Sequence, residues 1–110
     1  MCYIGLDAGG TKTHAAVIDE NKNILFDYKT GPGNIAVNFQ QAKRNIVNAI
    51  QACLNSIYGK YCKGIVLGIA GIGLGKYKQQ LHDYLKVIFP YPIVLLSDAE
   101  LAYYSIFEQE

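Results

Sequence analysis

The sequence predicts an α/β domain with a mixed five-stranded sheet, in the order β-β-β-α-β-α-β-α. Three observations predict it. Three short apolar segments lie close together near the start, joined by polar turns. Two later stretches carry apolar residues at helical spacing. Each of these is followed by a short, nearly continuous apolar run.

Residues 2–7 alternate, with Ile4 and Leu6 on one face and Tyr3 and Gly5 on the other, which reads as a strand. The glycine-bearing segment Asp7–Thr13 follows. Ala15–Ile18 forms a second apolar run, ended by the polar turn Asp19-Glu20-Asn21-Lys22-Asn23. Ile24, Phe26 and Tyr28 alternate as a third strand, completing an antiparallel meander. Gly31-Pro32-Gly33-Asn34 has the chemistry of a loop. Ile46, Ile50, Cys53, Leu54 and Ile57 then mark one face of a helix, expected to be core. Ile65–Ala70 suits a strand buried on both faces. Gly71-Ile72-Gly73-Leu74-Gly75 breaks that run. Tyr77, Leu81, Tyr84, Leu85 and Ile88 repeat the helical spacing as a second core stripe, and Pro90 and Pro92 close the helix. Ile93–Leu96 is another buried strand. Ser97 and Glu100 have capping-box spacing before a last helix.

The chain has 110 residues and fits one domain, 1–110. With 51% hydrophobic and 17% charged residues it is globular. The net charge is +1 and Arg44 is the only arginine, so no nucleic-acid footprint is expected. Lys76 and Lys78 read as a solvated face. Cys2, Cys53 and Cys62 form neither a disulfide framework nor a zinc pattern, which points to a reducing, cytoplasmic compartment. The start lacks the features of a signal peptide, and no apolar stretch reaches the roughly 18 residues of a membrane helix. The chain stops at Glu108-Gln109-Glu110 with no closing strand, so a longer protein is expected.

Four segments could carry chemistry. In Asp7-Ala8-Gly9-Gly10-Thr11-Lys12-Thr13, glycines admit positive φ and close approach of a ligand, and successive N–H groups can form an anion nest. Thr11 and Thr13 add hydroxyls, Lys12 adds charge, and Asp7 could hold Mg²⁺ directly or through water. A plain hairpin with glycine in its turn is the alternative. Asp98, just past the last strand, stands where open α/β sheets bind ligands; it reads as a general base or as a helix cap. Asn34 offers amide groups that suit sugar hydroxyls, or is a turn residue. Gly71-Ile72-Gly73 is a close-approach loop or a chain reversal. His14 and His82 have no partners at ligand spacing, so no metal role is expected for them.

Together these segments resemble the sugar-kinase, Hsp70 and actin superfamily, whose first phosphate motif is similar to Asp7–Thr13. With Gly68-Ile69-Ala70-Gly71 and Ser97-Asp98-Ala99-Glu100-Leu101-Ala102, the chain is similar to the BadF/BadG/BcrA/BcrD ATPases, and within them to N-acetylglucosamine kinases. The resemblance covers the whole chain in order. It implies a ribonuclease H-like (actin-like ATPase) fold, with ATP held between two such lobes, of which this would be the amino-terminal one. It implies nucleotide contacts from Gly9, Gly10, Thr11, Lys12 and Thr13, Mg²⁺ at Asp7, sugar contacts from Asn34 and Asp98, and Asp98 as catalytic aspartate. The implied reaction moves the γ-phosphoryl of ATP to the 6-hydroxyl of the amino sugar, and a homodimer is compatible with the family. The second phosphate motif, the adenosine site and the carboxy-terminal lobe are not in this sequence, so the 110 residues alone are expected to be inactive. The alternative is an ATPase like the 2-hydroxyacyl-CoA dehydratase activators, whose cysteines hold an iron–sulfur cluster. A sugar-responsive repressor would need a helix-turn-helix ahead of the first strand.

Overall fold

The computed structural model describes residues 1–71 and 76–97. Strands β1 (Cys2–Ala8), β2 (Thr13–Asp19) and β3 (Ile24–Thr30) are followed by helix α1 (Phe39–Asn55) and a single 3₁₀ turn, Gly59–Tyr61. Strand β4 (Cys62–Ile69), helix α2 (Lys76–Ile88) and strand β5 (Ile93–Ser97) complete the described chain. The strands form one sheet in the order β3-β2-β1-β4-β5. The expected last helix lies outside the described residues.

The short polar turns make β1–β2 and β2–β3 antiparallel, whereas each helix carries the chain back so that β4 runs parallel to β1 and β5 parallel to β4. The Asp19 carboxylate organises the β2–β3 turn. It accepts the backbone N–H of Asn21 and of Asn23, each at 2.9 Å. The backbone hydrogen bond from Asn23 is the main cause holding this carboxyl below its usual range.

Alternation in β1 puts Ile4, Leu6 and Ala8 into the core and leaves Tyr3 and Asp7 exposed. Ile65, Leu67 and Ile69 of β4, Ile46, Ile50 and Cys53 of α1, and Leu81 and Leu85 of α2 belong to the same buried cluster. Helix α1 starts where the Asn38 side chain accepts from the Gln41 N–H at 3.1 Å. It ends two residues earlier than the apolar stripe suggests. The Ser56 hydroxyl and N–H both bond the Cys53 carbonyl, and Ser56 turns extended, so Ile57 leaves the helix and is 78% exposed. The α2 stripe is also narrower than its spacing suggests. Tyr84 and Ile88 are each 40% exposed. Lys43 of α1 sits 4.2 Å from the centre of the Tyr84 ring, a cation–π contact at the rim rather than a core position. In β3, an edge strand among those described, Ile24 and Tyr28 are exposed and Phe26 is half-buried, so the alternation there marks pairing more than burial. Among the described residues no helix is long and apolar enough to cross a membrane.

All three cysteines are free and buried at the end of the sheet where β1 and β4 begin, with Cys2 paired to Cys62 in register. Burial pushes all three thiols up, that of Cys53 to about 12. At pH 8 the Cys53 thiolate would then be about one part in ten thousand. Ellman's reagent is therefore expected to label none of the three in the native chain and all three in guanidinium. Rapid native labelling would show that this end of the sheet opens.

Candidate functional site

Strands β1, β4 and β5 run in one direction, so their carboxyl ends share one edge of the sheet. Ala8 pairs with Ile69, and Ile69 with Ser97. The Ala70 N–H donates to the Ala8 carbonyl at 2.9 Å, extending the ladder to the strand ends. Open α/β sheets bind ligands at this edge. The segments singled out in the sequence that fall within the described residues meet here.

The β1–β2 connection is a tight hairpin closed by Gly9 N–H donating to Lys12 O at 2.8 Å. Neither Gly9 nor Gly10 has positive φ, contrary to what a glycine pair suggests. The protein's own packing does not ask for glycine there either. A Cβ on Gly10 would meet nothing within 4 Å, and one on Gly9 only Lys12 O at 3.5 Å. The space these residues leave is on the solvent side. Among the described residues nothing accepts the N–H groups of Gly10, Thr11 or Lys12. The tip thus presents three successive uncommitted donors, flanked by the exposed side chains of Thr11 and Lys12. Thr13 differs: it is fully buried, and its hydroxyl has no partner among the described residues. That hydroxyl lies against Gly33 rather than at the tip.

Asp7, one pair below the hairpin, is exposed on the sheet face opposite Leu6 and Ala8. Its register partners are His14 on β2 and Gly68 on β4, so no side chain crowds it from the β4 side. The His14 Nε2 lies 3.0 Å from Asp27 Oδ2, a diagonal cross-strand pair in which the carboxylate accepts. Among the described residues no cluster of three metal-ligating side chains occurs.

The loop after β3 lies against the hairpin. Gly33 N–H donates to Gly9 O at 2.8 Å. Asn34 Oδ1 accepts from Ala36 N at 2.9 Å and Val37 N at 3.3 Å, an Asx turn, while its own carbonyl accepts from Asn38 N at 3.2 Å. With Oδ1 so occupied, Asn34 can offer only the two hydrogens of Nδ2, which no described residue accepts. Gly71, at the end of β4, has φ +83°, and a Cβ there would fall 2.6 Å from Asn34 Oδ1. Glycine at 71 is therefore required twice, by conformation and by space. The group Gly71 closely approaches is Asn34 of this chain; Ile72 and Gly73 lie outside the described residues, as does Asp98. Sequence reasoning did not find Asn45 of α1, whose Nδ2 donates to Pro32 O at 2.8 Å. A polar residue at the flank of an amphipathic helix's buried face gives no signal of such a contact.

A model of the BadF/BadG/BcrA/BcrD ATPase family matches residues 4–104. An N-acetylmuramic acid/N-acetylglucosamine kinase of Clostridium acetobutylicum is 27% identical over 106 residues, covering 90% of this chain and 34% of that protein. The chain thus spans about a third of the length of that curated relative. Among solved structures, a ROK family glucokinase from Streptomyces griseus, in complex with glucose and AMPPNP, is similar with a TM-score of 0.75 and 22% identity. The match covers 96% of this chain and 36% of that one. The inorganic polyphosphate/ATP-glucomannokinase of Arthrobacter sp. strain KM gives 0.67 and 14%, covering 92% and 46%. The fold is accordingly that of a ribonuclease H-like lobe of the actin-like ATPases, with its mixed five-stranded sheet.

Proposed function

The chain belongs to the BadF/BadG/BcrA/BcrD ATPase family, and from that premise we propose that it is the amino-terminal lobe of an ATP-dependent amino-sugar kinase. The reaction is transfer of the γ-phosphoryl group to the 6-hydroxyl of N-acetylglucosamine or a close relative. One observation carries the reading: three uncommitted backbone donors at an exposed glycine tip, hydrogen-bonded through Gly9 and Gly33 to a loop that offers an amide.

The residues fit the groups this reaction needs. The space beside Gly10 and the free N–H groups of Gly10, Thr11 and Lys12 suit phosphate oxygens, with the Lys12 ammonium and Thr11 hydroxyl beside them. The buried Thr13 hydroxyl has no partner among the described residues and lies against Gly33, beneath the loop that carries Asn34. Asp7 is a single exposed carboxylate, and Mg²⁺ on a nucleotide commonly takes one or two protein carboxylates, with water and phosphate as its other ligands. ATP with Mg²⁺ supplies the transferable phosphoryl group and neutralises its charge. Asn34 donates from Nδ2 to a sugar oxygen, and Asp98 takes the proton of the attacking hydroxyl. The activator alternative needs cluster-binding cysteines at an interface, whereas Cys2, Cys53 and Cys62 are all in the core.

The test is Gly10→Ala in the full-length gene product. Its φ is not positive and its Cβ has room, so stability should be unchanged or rise by up to about 1 kcal/mol. The methyl group would occupy the phosphate side of the tip. The KM for ATP should therefore rise about tenfold or more, the loss of one or two charge-assisted hydrogen bonds. An unaltered KM for ATP would make the glycine pair an ordinary turn.

A further inference from the structure

The proposed sugar contact sits on a segment without regular secondary structure, so its aim depends on what grips it. Besides the fully buried Ile35, which anchors the segment in the core, three grips exist among the described residues. Gly33 N–H holds the segment to Gly9 O at 2.8 Å. Asn34 packs against Gly71. The third comes from outside the sheet edge: Asn45 Nδ2 donates to Pro32 O at 2.8 Å.

This third grip has features that a helix alone does not require. Asn is among the poorer helix formers, and Asn45 lies inside α1, beside the buried Ile46. Its side chain is half-buried and passes next to Gly31, where a Cβ would stand 3.0 Å from Nδ2. Glycine at 31 leaves the amide its place. Among the described residues no other donor reaches the Pro32 carbonyl. The helix behind it is firm: Phe39 stacks on Tyr77 of α2 at 5.5 Å, and Lys43 bridges to the Tyr84 ring. The Pro32 carbonyl and the Gly33 N–H belong to one planar peptide unit, so Asn45 and Gly9 hold that plane from two sides, one residue before Asn34.

We propose that Asn45 is a positioning residue for the sugar substrate, acting through the Pro32 carbonyl to aim the Asn34 amide. The inference rests on the reading that Asn34 meets an N-acetylated hexosamine. It separates two roles at the site. The Gly9–Gly33 bond joins the sugar loop to the phosphate hairpin, while the Asn45–Pro32 bond orients the sugar loop alone.

The experiment uses the full-length gene product with ATP and N-acetylglucosamine. Asn45→Ala removes the amide; Asn45→Asp keeps its shape but loses the donor. Both should raise the KM for the sugar about five- to tenfold, with kcat and the KM for ATP within about twofold and the melting temperature nearly unchanged, as suits one lost aligning hydrogen bond. Calorimetric sugar affinity should fall by the same factor. An unchanged sugar KM in Asn45→Asp overturns the inference. So does a joint worsening of sugar KM, ATP KM and melting temperature, which marks a merely structural residue. Should Asn45→Ala fail to fold, Asn45→Asp decides alone, and failure of both to fold also marks a structural role. Asn34→Ala is measured in parallel. If it leaves the sugar KM unchanged, the sugar-loop reading itself falls and this inference with it. If it raises the KM and the Asn45 variants do not, only the present inference falls.

Discussion

Asp98→Asn in the full-length gene product is expected to lower kcat by about 10²- to 10⁴-fold, the usual worth of a positioned general base. Sugar binding, read by calorimetry, should largely survive, because the amide keeps the size of the carboxyl and its capacity to hydrogen-bond. The strand register supports placing the base there. Ser97, the residue before it, pairs with Ile69, and Ile69 pairs with Ala8 at the foot of the β1–β2 hairpin. Two strand spacings separate the ends of β5 and β1, about 10 Å. That is a gap which a hexose hydroxyl and a phosphoryl group could span between them. Parallel strands put both ends on the same edge of the sheet. Unchanged turnover would leave Asp98 as a helix cap and remove the base from the proposed mechanism.

The second large effect is on folding. A Cβ on Gly33 would stand 2.5 Å from Thr13 Oγ1 and 2.6 Å from Ala8 Cβ, with Ala8 Cα at 3.1 Å. Thr13 and Ala8 are both fully buried, and neither is the far end of a flexible side chain. Gly33→Ala must therefore push the loop off the sheet. Overpacking of this kind costs about 2 kcal/mol. For a domain of this size that is a fall in melting temperature of roughly 8–16 °C. The displaced loop would also lose the bond from Gly33 N–H to Gly9 O. Nucleotide and sugar affinities should then fall together, in contrast to the Asn45 variants. A melting temperature within 2 °C of the parent, measured by calorimetry and read against that scale, would show that the loop is looser than its contacts suggest.

The contrast between Gly10 and Gly33 also marks what the sequence could tell. Strands and helices were legible because burial imposes a period, and Ile4, Leu6, Ile46, Ile50, Leu81 and Leu85 follow it into the core. The ends of those patterns were not legible. Ser56 turns the chain out by capping Cys53, and Lys43 holds Tyr84 at the surface, so Ile57 and Tyr84 kept the spacing without the burial. The glycine pair suggested positive φ in the β1–β2 hairpin, and neither residue has it. Positive φ occurs instead at Gly71 and at Lys22. Gly33 meeting Thr13, and Asn45 meeting Pro32, are contacts between segments distant in the chain or on different elements, and no local period encodes them.

The strand order has a consequence for how the protein is made. β1 lies at the centre of the described sheet, yet its two neighbours emerge from the ribosome at different times. β2 follows at once, whereas Cys2 must wait for Cys62 to find its other partner, a closure over about sixty residues. At roughly 5–20 residues per second the nascent meander spends several seconds with one side of its most apolar strand unpaired. During that interval the exposed rim of β1 is open to strands of neighbouring polypeptides. Slowing translation between the β3 and β4 codons should lengthen that interval and favour inclusion bodies, while the finished protein keeps this strand out of reach.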